Sequence, residues 1–85
     1  MNILFTKDAW KENQNHQKGE VGKINKFIKE IQRTPYEGSG NPEALKHDLT
    51  GYYSRRISGE HRLVYMITTI GVAETLFVTS CWGHY

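Results

Sequence analysis

Cysteine, proline and long apolar runs are scarce in this chain. It has one cysteine and two prolines, and its longest stretch without Asp, Glu, Lys or Arg before the final strand is Leu63 to Ala73, 11 residues. A single thiol, Cys81, cannot form a disulfide within the chain, which suits a reducing cytoplasm. An uncharged run of that length is well short of the ~20 residues a membrane helix needs, so no membrane partner is expected. The start, Met1 to Phe5, has neither a basic segment nor a cleavage pattern and does not read as a signal peptide. Net charge is also small, +2 from 11 basic and 9 acidic residues, too little to mark a nucleic-acid binder by itself. Disorder is excluded by 38% hydrophobic residues and ten aromatics. Eighty-five residues hold one core, so residues 1–85 read as one domain.

The bases are unevenly distributed. Before position 46 they are six Lys and one Arg against six acids, the composition of solvated helix surface. From there on they are Lys46, Arg55, Arg56 and Arg62, joined by His47, His61 and His84. Arginine holds phosphate oxygens in a planar fork, whereas lysine is the ordinary solubilising cation. Chemistry is therefore expected in the second half.

Asn2 to Phe5 reads as a strand, and Thr6 or Asp8 as the cap of a polar helix that buries Ala9 and Trp10. Val21, Ile24, Phe27, Ile28 and Ile31 recur at helical spacing among lysines, so a second helix is expected there, ended by Pro35. Residues 34–42 form a turn-rich connector with both prolines and two glycines. The period then changes to two. Strands are expected at Leu45 to Leu49, Tyr52 to Ile57, Arg62 to Thr68 and Thr75 to Trp82, with a hairpin at Ser58 to Glu60 and a loop from Thr69 to Glu74. The order predicts an α+β fold, two N-terminal helices packed on an antiparallel β-sheet.

Alternation places Arg55 and Arg56 on opposite faces of one strand, and a turn at Gly59 sets Arg56 directly opposite Arg62. Two facing guanidinium groups need an anion, either an acid such as Glu60 or Asp48, or a phosphate. Glu43 stands where the connector meets the strands, with Lys46 and His47 just beyond it. Trp82-Gly83-His84-Tyr85 ends the chain with an imidazole and a phenol. His47, His61 and His84 lack zinc-finger spacing, and neither a Walker nor a dinucleotide glycine pattern occurs, so no metal and no cofactor is expected. An acid, a base, two arginines and a terminal His-Tyr pair in one small sheet suggest acid–base cleavage of a phosphodiester.

The block Pro42-Glu43-Ala44-Leu45-Lys46-His47-Asp48-Leu49-Thr50-Gly51-Tyr52-Tyr53-Ser54-Arg55-Arg56-Ile57, with Glu60-His61-Arg62-Leu63-Val64-Tyr65 and the terminal His84-Tyr85, resembles the YoeB/Txe toxins of the RelE superfamily. The resemblance implies a RelE-like fold and the toxin of a type II toxin–antitoxin system. It also implies an mRNA endonuclease that cuts messages in the ribosomal A site, between the 30S and 50S subunits. The partners implied are that ribosome-bound mRNA and a YefM/Axe-like antitoxin, with a homodimer among the assemblies allowed. By the same resemblance the general base falls on Glu43 and the general acid on His84. Lys46, Arg56 and Arg62 fall on charge-stabilising positions, and Tyr85 on the terminal tyrosine; His47 joins the phosphate-binding set. The reaction would be metal-independent attack by the RNA's own 2′-hydroxyl. A non-cleaving module that blocks the ribosome is the alternative. Three departures stand out: the polar Asn13, Asn15 and His16 stand where the family's first helix carries more aromatics, in a segment before Ile24 that reads as short; the Thr69 to Glu74 loop reads as longer than usual; and Trp82-Gly83 replaces an Arg-Tyr pair.

Overall fold

A computed structural model describes residues 1–81. The chain runs β1 (Asn2–Phe5), α1 (Lys7–Gln14), α2 (Lys18–Ile31), β2 (Glu43–Ala44), β3 (Tyr53–Ser58), β4 (His61–Ile70) and β5 (Ala73–Ser80). The helices begin where side chains satisfy their free N–H groups. The Thr6 hydroxyl accepts from the Ala9 N–H at 3.0 Å, and Asp8 follows in the first turn, where its charge suits the helix dipole. At α2 the Glu20 carboxylate accepts from the Gln17 N–H at 3.3 Å. Ile24, Phe27 and Ile31 form the fully buried stripe of α2, with Ile28 packed beside them. The helix ends at Ile31, before Pro35 can interrupt it.

Five strands form one sheet in the order β1-β5-β4-β3-β2. From β2 to β5 the pairing is antiparallel, as the alternating sequence predicts, and β1 adds to the free edge of β5 in parallel. The sheet is therefore mixed. That parallel edge is invisible to local patterning, because it joins the first strand to the last through a connection spanning both helices. Ile57, Leu63, Tyr65, Leu76 and Val78 face the helices and close the core with Ala9, Ile24, Phe27 and Ile31. Among the described residues no helix is long and apolar enough to cross a membrane.

Of the two residues expected to be buried on α1, Ala9 is buried and Trp10 is half exposed, its ring meeting Phe5 edge-on. Two expected elements also differ. Leu45 to Leu49 is not a strand: β2 ends at Ala44 and residues His47–Leu49 form a 3₁₀ turn. The cause is local, since His47 adopts φ 59° and breaks the extended path that alternation requires. Thr69 to Glu74 is not a loop. Thr69 pairs with Glu74 and Ile70 with Ala73, so only Gly71 and Val72 turn the hairpin, with Gly71 at φ 65°. Thr68, Thr69 and Ile70 are β-branched, and pairing with β5 extends them through what looks like a polar break.

Candidate active site

Glu43 is delivered to the sheet edge by the connector that follows α2, and a buried arginine holds that connector in shape. Arg55 is fully buried on the helix-facing side of β3. Its Nη1 donates to Glu30 Oε1 at 2.6 Å and to the Ser39 carbonyl at 3.2 Å. Its Nη2 donates to the carbonyls of Thr34 and Glu37 at 2.8 and 2.9 Å, and its Nε to the Tyr65 hydroxyl at 3.2 Å. Tyr65 in turn donates to the Pro35 carbonyl at 2.6 Å. One planar guanidinium thus satisfies loop carbonyls that no ladder reaches. The Ser39 N–H and hydroxyl, then Arg55, hold the Glu30 carboxyl below its ordinary range, and burial pushes the Tyr65 phenol up. The loop closes tightly: Gly40 sits at φ 82°, and a Cβ there would lie 2.7 Å from Cζ of Phe27. Its carbonyl accepts from the Arg56 N–H at 2.7 Å.

Asn41-Pro42 then leads into β2, Asn41 at φ 52°. Asparagine and histidine are among the residues that enter the left-handed region most readily, so Asn41 and His47 bracket Glu43–Lys46 with two sharp changes of direction. Glu43 pairs with Ser54, Ser54 with Val64 and Val64 with Ser80, so these four form one row across the sheet. Arg56 pairs with Arg62 in the neighbouring position, as the turn at Gly59 predicts. Arg62 reaches from that position toward the row, with Nη1 3.3 Å from Ser54 Oγ and 3.8 Å from Glu43 Oε2. An acid beside Arg62 is therefore Glu43, on another strand. Glu43 has a side chain 60% exposed and Arg62 one 15% exposed. The carboxylate is open to a ligand while its cationic neighbour is held from below.

Lys46 and His47 are exposed beside Glu43 and line with it an open cleft of about 320 Å³, floored by Ala44, Leu45 and Leu49. Arg56 is exposed on the neighbouring strand. Of the seven expected site residues, Glu43, Lys46 and His47 share the cleft, Arg62 reaches Glu43, and Arg56 faces Arg62 from β3. His84 and Tyr85 lie outside the described residues.

Sequence reasoning passed over two contributors. Ser54, buried under Arg62, carries no distinctive signal. Arg55 did have one, since two-residue alternation puts it on the face of Tyr53 and Ile57, the core face, where an unpaired arginine cannot stay.

The sequence and the fold are matched among known proteins. Residues 5–85 match the family model described as "YoeB-like toxin of bacterial type II toxin-antitoxin system". Toxin YoeB of Escherichia coli is 43% identical over all of both chains, and that of Synechocystis is 44% identical over all of this chain and 98% of its own. A YoeB/ParE toxin from Agrobacterium tumefaciens superposes with a TM-score of 0.91 at 41% identity over the whole of both chains. The YoeB of a heterotetrameric YoeB-YefM complex from Staphylococcus aureus gives 0.84 at 44% identity, covering all of this chain and 98% of that one. With its fold matched and its sequence matched over its whole length, the chain belongs to the YoeB-like toxins of bacterial type II toxin–antitoxin systems.

Proposed function

We propose that this toxin is a ribosome-dependent mRNA endoribonuclease that cleaves messages in the A site by metal-independent acid–base chemistry. The observation that carries the reading is the exposed Glu43 carboxylate held 3.8 Å from the Arg62 guanidinium, in an open cleft shared with Lys46. RNA brings its own nucleophile. Glu43 takes the proton of the 2′-hydroxyl, the 2′ oxygen attacks the adjacent phosphorus, and the 5′ oxygen leaves with a proton from His84. The products are a 2′,3′-cyclic phosphate, opened by water to a 3′-phosphate, and a 5′-hydroxyl. Each proton transfer is worth about 10²–10⁴-fold. Arg62, Arg56 and Lys46 face the charge that builds on the phosphorane, where their attraction exceeds that in the ground state. Arg62 then exchanges its contact with Glu43 for one with phosphate, freeing the carboxylate as the base. His47 adds a donor at the cleft, and Tyr85 orients the phosphate or stacks on a base.

The small net charge of +2 gives little pull toward RNA in general and fits an enzyme presented with its substrate by the ribosome. The Staphylococcus relatives, crystallised as a YoeB dimer and as YoeB-YefM complexes, support a cognate YefM/Axe-like antitoxin for this toxin, and a homodimer. Its site of action is the cytoplasm. A translation extract with primer-extension mapping of one message tests the reading. Cuts within codons at the A site, lost on adding the antitoxin, are expected. Stalled ribosomes on intact message would replace cleavage with steric blocking.

A further inference from the structure

β5 ends at Ser80, and the next peptide group has no strand to pair with. Both polar atoms of Cys81 are nevertheless held, and by side chains of one short segment at the end of α1. Glu12 Oε1 accepts from the Cys81 N–H at 2.9 Å and from the Ser80 hydroxyl at 3.3 Å. From the other side, His16 Nε2 lies 2.5 Å from the Cys81 carbonyl oxygen. The second ring nitrogen, Nδ1, lies 2.9 Å from Glu20 Oε1. The ring thus lies between two acceptors, a carbonyl and a carboxylate. Hydrogen bonds from the Ser58 hydroxyl and from His16 lower the Glu20 carboxyl to about 2. The edge of His16 also meets the His61 ring, with centroids 5.2 Å apart at 89°. His16 is 7% exposed and Cys81 fully buried.

We propose that Glu12 and His16 form a clamp on the Cys81 peptide that sets the point and direction from which the chain departs toward His84, which makes them positioning residues for the cleavage proposed above. The proposal rests on that reading for its catalytic half. A held start lowers the entropy lost when a general acid reaches its leaving group, and a displacement of about 1 Å can cost about 10²-fold in rate. The clamp draws on this chain's polar first helix, with a histidine where the family resemblance implies aromatics and Glu20 2.9 Å from its second ring nitrogen.

The test measures single-turnover cleavage and ribosome binding separately for the parent, Glu12→Ala, Glu12→Gln and His16→Gln, with amide NMR spectra of each free protein. Glu12→Ala loses the acceptor, so cleavage should slow by about tenfold or more at unchanged ribosome binding. Glu12→Gln keeps an acceptor oxygen and should stay close to the parent rate. His16→Gln keeps one donor and should fall between them. The amide signals of residues 82–85 should move in Glu12→Ala and His16→Gln while those of the sheet stay in place. If Glu12→Ala does not fold, the other two variants carry the comparison. A folded Glu12→Ala or His16→Gln protein with parental cleavage and unmoved signals at 82–85 overturns the clamp. So does a slowdown matched by an equal loss of ribosome binding. A parent that cuts no message removes the cleavage reading, and the amide shifts then decide the clamp alone.

Discussion

Glu43 and Arg62, nineteen positions apart in the sequence and two strands apart in the sheet, meet with 3.8 Å between carboxylate and guanidinium. The contact joins an exposed acid to a largely buried base at 3.8 Å, and with the acid open to solvent it is of little worth to stability. Its value lies in what a bound phosphate would do to it. Arg62→Lys keeps the charge and loses the planar fork, so the cleavage step should slow by about 10- to 150-fold, corresponding to about 1.5–3 kcal/mol for a charge-assisted bond. Thermal stability should change by less than about 1 kcal/mol. Single-turnover rates on programmed ribosomes, beside melting curves, check both halves. A Lys variant cutting at the parent rate would make Arg62 a structural partner of Glu43 and Ser54.

Arg55 predicts the opposite pattern. Removing one member of a buried, hydrogen-bonded ion pair typically costs about 3–5 kcal/mol, because the partners left behind stay unpaired. Arg55→Met should therefore lower folding stability by that order and release the 34–40 connector, measured by urea titration and amide exchange. Cleavage would be lost only in proportion to the folded fraction and the displacement of Glu43. An Arg55→Met protein as stable as the parent would show that the five hydrogen bonds of this guanidinium are replaceable by water.

Glu20 sets a pH dependence. Its carboxyl, at about 2 in the folded chain, ordinarily titrates near 4.3 when unfolded. A depressed folded value means the stabilisation is complete above the unfolded value and disappears as pH falls toward the folded one. The stability gap between the parent and Glu20→Gln should hold at pH 5–6 and close progressively between about pH 4.3 and 2. Glu30 titrates in both proteins and cancels in the difference. Melting curves across that range check it; a gap constant with pH would mean that Glu20 does not titrate with the His16 clamp.

Burial, with the Glu12 charge second, pushes the Cys81 thiol up to about 12. At pH 8 the thiolate fraction falls about 10³-fold below that of an ordinary thiol near 8.5, so alkylation of the folded protein should be slower by at least that factor. Iodoacetamide labelling followed by mass spectrometry, with and without denaturant, measures it. Rapid labelling of the folded chain would show that the start of the C-terminal stretch opens freely, against a held Cys81.

The parts of the fold that local pattern could reveal are those governed by near neighbours. The α2 stripe from Val21 to Ile31, the Gly59 hairpin and the facing of Arg56 and Arg62 follow from spacing alone. The short β2 and the 3₁₀ turn do not, because His47 leaves the extended region for a reason that spacing does not encode. Nor does the parallel pairing of β1 with β5, which depends on the edge left open once the meander has formed. The site divides in the same way. Glu43, Lys46, His47, Arg56 and Arg62 stand in a short block of sequence, whereas Arg55 reveals its part only when its face is known to be the core. Glu12 and His16 read as solvated helix surface until Cys81 is seen between them.

The measurement that bears most directly on the central claim concerns the nucleophile. A message is programmed on ribosomes with a single 2′-deoxynucleotide placed immediately 5′ of the phosphate cut in the all-ribose message, and single-turnover cleavage is followed for both. Attack by the 2′-hydroxyl under Glu43 predicts no cut at the deoxy position, and 2′,3′-cyclic or 3′-phosphate ends only on the all-ribose message. Equal cutting of the two messages, leaving a 3′-hydroxyl, would contradict it and place the attack with water.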